Sequence, residues 1–125
     1  MSLFKKRKLK TEEVTVQGEK FILTEPNALN MCMYWDFVEK EHATVKDDST
    51  NLFRVQINAK TALMLTAVCL VPQYPKMSVE EIYNMLCGEI TVYSDVNIFS
   101  DAADKVTELK TETEEVTQDG NSDTD

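Results

Sequence analysis

Ala59-Lys-Thr-Ala-Leu-Met-Leu-Thr-Ala-Val-Cys-Leu-Val71, closed by Pro72, is the stretch on which the fold turns. From Ala62 onward only Thr66 interrupts the apolar residues, so a helix made of it is hydrophobic on nearly every face and suits a place enclosed by other elements. A membrane span takes about 20 apolar residues, and Pro72 and Pro75 stop this run well short of that. The segment therefore predicts the buried central helix of a small helical domain. Just upstream, Leu52-Phe-Arg-Val-Gln-Ile57 alternates like a strand but continues into the apolar run without a break, which favours one helix from about Arg54 to Val71. The polar segment Thr44 to Asn51 before it reads as a loop.

On the downstream side, Pro72-Gln-Tyr-Pro75 is a rigid connection, and Ser78-Val-Glu-Glu81 is a capping box in which Ser78 caps and Glu81 reaches back. Ile82, Met85, Leu86 and Ile90 then repeat at helical spacing and predict a helix to about Tyr93. Ser94-Asp95 opens a further helix, striped by Val96, Phe99, Ala102 or Ala103, Val106 and Leu109. On the N-terminal side, Thr24-Glu-Pro26 is a helix start with Thr24 as cap and Pro26 in the first turn. The helix that follows has a wide apolar stripe through Met31, Tyr34 and Phe37, which predicts an inner position. Trp35 lies on it. Its large area makes core packing the leading reading, with a contact to a binding partner as the alternative. Val14 to Leu23 alternates on either side of Gly18 and predicts a β-hairpin turning at Gln17 to Lys20, laid on the helices through Val14, Val16, Phe21 and Leu23.

The 125 residues, 42% of them hydrophobic, suit one domain with one core. The fold class is mainly α: a bundle of about four helices over residues 12–110 with a short N-terminal β-hairpin. It is preceded by a flexible basic arm, residues 1–11, and followed by an acidic tail, residues 111–125, whose composition predicts disorder or a linker. The net charge of −9 is unevenly placed. Met1 to Leu23 carries six basic and three acidic side chains, Thr24 to Ser100 five and ten, and Asp101 to Asp125 two and nine. Lys5, Lys6, Arg7, Lys8 and Lys10 make the arm a candidate partner-binding segment, but no interleaved aromatic residues or Gly-rich turns accompany them, so nucleic acid is the lesser expectation.

Catalytic chemistry finds little to work with. Glycines stand only at 18, 88 and 120, so no phosphate-cradling loop is spaced correctly. One histidine, His42, makes no metal cluster and has no evident nucleophile to activate. The pairs Asp47-Asp48 and Glu80-Glu81 fall in a loop and at a helix start, where structural roles explain them. Cys32, Cys69 and Cys87, an odd number set in apolar stretches, read as buried reduced thiols of a cytosolic protein. No signal peptide is read, because Thr-Glu-Glu follows the basic cluster. The reading is of a protein that is not an enzyme and holds neither cofactor nor metal.

Taken in order, several pieces carry a resemblance. They are Val14-Thr-Val and Phe21-Ile-Leu, the helix opening Leu23-Thr-Glu-Pro-Asn-Ala-Leu29, Phe53-Arg-Val through Ala59-Lys-Thr-Ala-Leu-Met-Leu, Pro75-Lys-Met-Ser-Val-Glu-Glu, and Ala102-Ala-Asp-Lys-Val106. Over roughly residues 12 to 110 the chain resembles bacteriophage tail assembly chaperones of the lambda minor tail protein G type; the basic arm and Pro26 depart from the family's pattern. The resemblance implies a non-enzymatic role: binding the phage tape measure protein and helping to recruit tail tube protein. It also implies residence in the host cell cytoplasm, absence from the mature virion, and a longer product made by ribosomal frameshifting near the end of the gene. A homo-oligomer is compatible with it. The rival expectation is a small helical nucleic-acid-binding regulator that uses the basic arm.

Overall fold

The computed structural model describes residues 8–108, so the expectations for Lys5, Lys6, Arg7, Leu109 and the acidic tail lie outside the described residues. Within them, β1 (Thr11–Val16) and β2 (Glu19–Thr24) pair antiparallel, with Thr11 opposite Thr24 and Val16 opposite Glu19. Only Gln17 and Gly18 remain for the turn. Their φ values of 54° and 77° are the pair of positive angles that a two-residue turn needs to follow the twist of its strands. Glycine meets this without cost at the second position. Gln17 is held there by its side-chain amide, which donates to the Glu89 carbonyl at 3.1 Å and to Asp95 Oδ2 at 3.3 Å.

The alternation along the strands places Val16, Phe21 and Leu23 in the core, with Val14 partly buried. Phe21 meets Phe99 edge to face at a centroid distance of 5.0 Å. The outer edge of β2 is not left bare. Gln73 accepts from the Ile22 amide at 2.8 Å and donates to the Lys20 carbonyl at 3.2 Å, so one side chain imitates the next strand.

Four helices follow: α1 (Ala28–His42), α2 (Asn51–Cys69), α3 (Val79–Glu89) and α4 (Tyr93–Thr107). The first starts later than the sequence suggested. Thr24 is occupied by its pairing with Thr11, Pro26 favours extended backbone in the residue before it, and Asn27 becomes the cap, its Oδ1 accepting from the Asn30 amide at 2.8 Å. Pro26 thus precedes the helix. α2 starts earlier than Arg54, because Thr50 caps it by accepting from the Phe53 amide at 3.0 Å. That settles Leu52 to Ile57 as helix. A single 3₁₀ turn over Val71–Gln73 carries the chain past Pro72.

The capping box at α3 is present in both directions: Glu81 N–H donates to Ser78 Oγ at 3.1 Å and Ser78 N–H donates to Glu81 Oε1 at 2.8 Å. Ser78→Ala removes one acceptor from this pair, and urea unfolding is expected to show a loss of about 0.5–2 kcal/mol. α3 ends at Glu89 and not near Tyr93, since Ile90 and Val92 adopt extended backbone that suits their branched side chains. The expected cap at Ser94 is also not used. α4 begins at Tyr93, with Val92 at the cap position and no side-chain bond there.

The second half of α2 is the centre of the molecule. Every residue from Leu63 to Leu70 is buried, Thr66 included. Its hydroxyl donates to the Ala62 carbonyl at 2.9 Å, so a polar atom sits in the core without an unmet bond. α2 packs against α1, α3 and α4, while α4 also lies on β1 and presents the expected stripe of Val96, Phe99, Ala102, Ala103 and Val106. No helix among the described residues is long and apolar enough to cross a membrane.

Candidate partner-binding surface

α1 has the composition of an interior helix, ALNMCMYWDFVEKEH, yet none of its 15 residues is buried. Helical geometry explains how this arises. Met31, Tyr34, Phe37 and Val38 repeat at three- and four-residue spacing along the side that rests on the body. Met31, Tyr34 and Phe37 are partly buried there, and Phe37 meets Tyr83 of α3 at 5.2 Å between centroids. Leu29 and Met33, four residues apart, fall on a flank that nothing covers, and Leu29 keeps 72% of its surface exposed. Trp35 falls outside the inward stripe and is 53% exposed, so its expected place in the core is corrected: it is a surface aromatic. The expectation that α1 is an inner helix is corrected with it.

The loop over residues 43–50 turns the chain back so that α2 packs against α1, and the first turns of α2 follow directly on that loop. There Leu52 is 68% exposed and Val55 is exposed as well, three residues apart on one face. Neither residue stood out in the sequence, where both looked like the lead into a buried helix. Glu41 of α1 and Lys60 of α2 are 3.7 Å apart and help fix this pair of helices against each other.

The basic arm occupies a different place. Lys8 and Lys10 are exposed, and Lys10 is held at the open end of the hairpin by its amide donating to Glu25 Oε1 at 3.1 Å and its ammonium pairing with Glu108. Lys105 and Glu12, 3.5 Å apart, bind the end of α4 to the same end of β1. Lys10 and Trp35 therefore belong to separate elements, the hairpin and the middle of α1.

Groups with reactive potential are scattered. His42 is exposed at the end of α1, Asp47 and Asp48 are exposed in the loop, and Glu81 is engaged in the capping box. Among the described residues no three His, Cys, Asp or Glu side chains gather in a metal-binding group. The cysteines divide: Cys69 is buried, but Cys32 and Cys87 are exposed, because they fall on the outward sides of α1 and α3. Burial, with a smaller contribution from the Asp104 carboxylate, pushes the Cys69 thiol up to about 12. Burial, then the Cys87 thiol and the Glu41 carboxylate, likewise raises Tyr83.

Native protein is thus expected to show two thiols reacting with a disulfide reagent, and a third only on unfolding. Three fast-reacting thiols would place Cys69 at the surface. The same shift gives a pH dependence. Unfolded, this thiol ionises near 9; folded, near 12, so the stability due to its protonated form is complete below pH 9 and lost as pH rises from about 9 to 12. Thermal unfolding followed across that interval should show a falling Tm, and Cys69→Ala should flatten part of the fall.

Comparison with protein-family models, with curated proteins and with solved structures finds no match to this chain.

Proposed function

We propose that this protein is a non-enzymatic tail assembly chaperone of a long-tailed bacteriophage. It binds apolar helical segments of the tape measure protein in the host cytoplasm, helps to recruit tail tube subunits, and leaves before the virion is complete. The observation that carries the reading is α1: a helix whose first eleven residues put apolar side chains on many sides, none of them fully buried by its own domain. Exposed apolar surface of this kind serves to receive another protein, and apolar helical segments laid along the flanks of α1 and the start of α2 would cover Leu29, Met33, Trp35, Leu52 and Val55. Methionine suits a surface that accepts several related segments, because its unbranched side chain adapts to each. The order of sequence pieces described above supplies the identity of the client, and the overall acidity argues against a polyanion in its place.

Co-expression with a companion tape measure protein tests it. A soluble complex should form and survive moderate salt, since burial of apolar surface is not screened. Steeply salt-sensitive binding to DNA or RNA, with no complex, would instead select the nucleic-acid regulator that works through the arm. The frameshifted longer product is tested in the nucleotide sequence, which should carry a slippery run of bases near the tail codons and an overlapping open frame.

A further inference from the structure

Where the hairpin turn meets the end of α3 and the start of α4, the structure holds a cavity of about 240 Å³ walled by Phe21, Tyr74, Met85, Leu86, Ile90 and Phe99. Glu19 and Glu89 stand in its lining, and Asp95 is fixed beside it by Gln17. Neither Glu19 nor Glu89 has a cationic partner among the described residues. Pockets for small ligands usually run from about 300 to 1,000 Å³, so this one is sized for a side chain or two. Its chemistry asks for an aromatic or large aliphatic group followed closely by positive charge.

The chain contains one such segment, Leu3-Phe-Lys-Lys-Arg-Lys8, an apolar pair running into the only cluster of consecutive cations in the sequence. We infer that this cavity receives the arm of a second copy of the chain, Phe4 entering the aromatic wall while Lys5, Lys6 and Arg7 lie over Glu19 and Glu89. Reach decides for the second copy. Lys10 is anchored at the open end of the hairpin, and Val16, at the cavity, is six strand residues away, roughly 20 Å. Phe4 is also six residues from Lys10, a span of about 20–22 Å at full stretch, so docking on its own domain leaves no slack to turn back. Exchange between copies has no such limit and makes the contact twice in a two-fold dimer. The site uses the hairpin, α3 and α4 and is independent of α1, so it stands whether or not the chaperone reading does.

Sedimentation of the full chain is the test. Its mass should rise from 14.3 kDa towards twice that value with concentration. Phe4→Ser should weaken self-association about tenfold or more. The double variant Glu19→Lys/Glu89→Lys should do the same, and because both glutamates are exposed its thermal unfolding should match the parent's. Mixing the two variants is decisive: one offers an intact cavity and the other an intact arm, so together they should form a heterodimer that neither forms alone. A full chain that stays at 14.3 kDa at every concentration overturns the inference, as do variants that associate like the parent. Loss of association in both variants without a heterodimer on mixing overturns it too.

Discussion

Leu65→Ala is expected to lower the stability of the fold by about 2–5 kcal/mol, out of the 5–15 kcal/mol typical of a domain this size. Leu65 is 3% exposed and sits midway along the buried half of α2, with α1, α3 and α4 around it. The loss has two parts, transfer of the removed carbons and the cavity left behind, and the second is large here because three helices would have to shift to close it. Leu52→Ala, the same change on the same helix, is the control. At its exposed position the cost should stay within about 0.5 kcal/mol. Urea unfolding, with the midpoint moving at unchanged slope, measures both. Equal costs at the two positions would mean that the second half of α2 is not the core.

The contrast between those two leucines also marks what the sequence could reveal. The apolar run from Ala62 had no polar face to offer solvent, so its enclosure followed from composition alone. Local chemistry was equally legible where it stood on neighbouring residues: the Ser78–Glu81 capping box and the α4 stripe from Val96 to Val106 lie where their spacing put them. The hairpin turns on Gln17-Gly18, one residue earlier than a turn over Gln17 to Lys20 would, because Glu19 and Lys20 are already paired in β2. Boundaries that depended on competition between residues were not. Thr24 is as good a cap as its type allows, but the strand pairing claimed it first, and the branched residues 90–92 ended α3 before its apolar spacing ran out.

The candidate surface was the least legible part, for a geometric reason. α1 and α2 both read as helices with apolar residues on many sides, and nothing in either says which is enclosed. A body of about 100 residues with four helices has room to surround one of them. α2 takes that place because the hairpin, α3 and α4 are all within reach of it, which leaves α1 on the outside with Trp35 and Leu29 uncovered. Two helices with apolar residues on many sides are one more than so small a domain can enclose, a surplus visible in the composition of α1 and α2.

That surplus leads to the second large effect, expected in binding and not in folding. Trp35→Ala should change stability by about 0.5 kcal/mol or less, because the residue is half exposed in the free protein, yet cost about 2–4 kcal/mol in affinity for the proposed helical client. The asymmetry follows from where its surface goes. A large rigid aromatic that is wet in the free state and dry in the complex contributes its burial to association alone, and tryptophans in such positions are among the commonest centres of binding energy. The protein supplies its own reporter, since Trp35 is the only tryptophan in the sequence. Its emission should lie at long wavelength in the free chain and move to shorter wavelength as client is added, in step with complex formation measured by calorimetry. Leu29→Ala and Met33→Ala should weaken the same complex by smaller amounts. If Trp35→Ala instead lowers the unfolding free energy by several kcal/mol while the client still binds as before, α1 is a structural helix and the binding surface lies elsewhere.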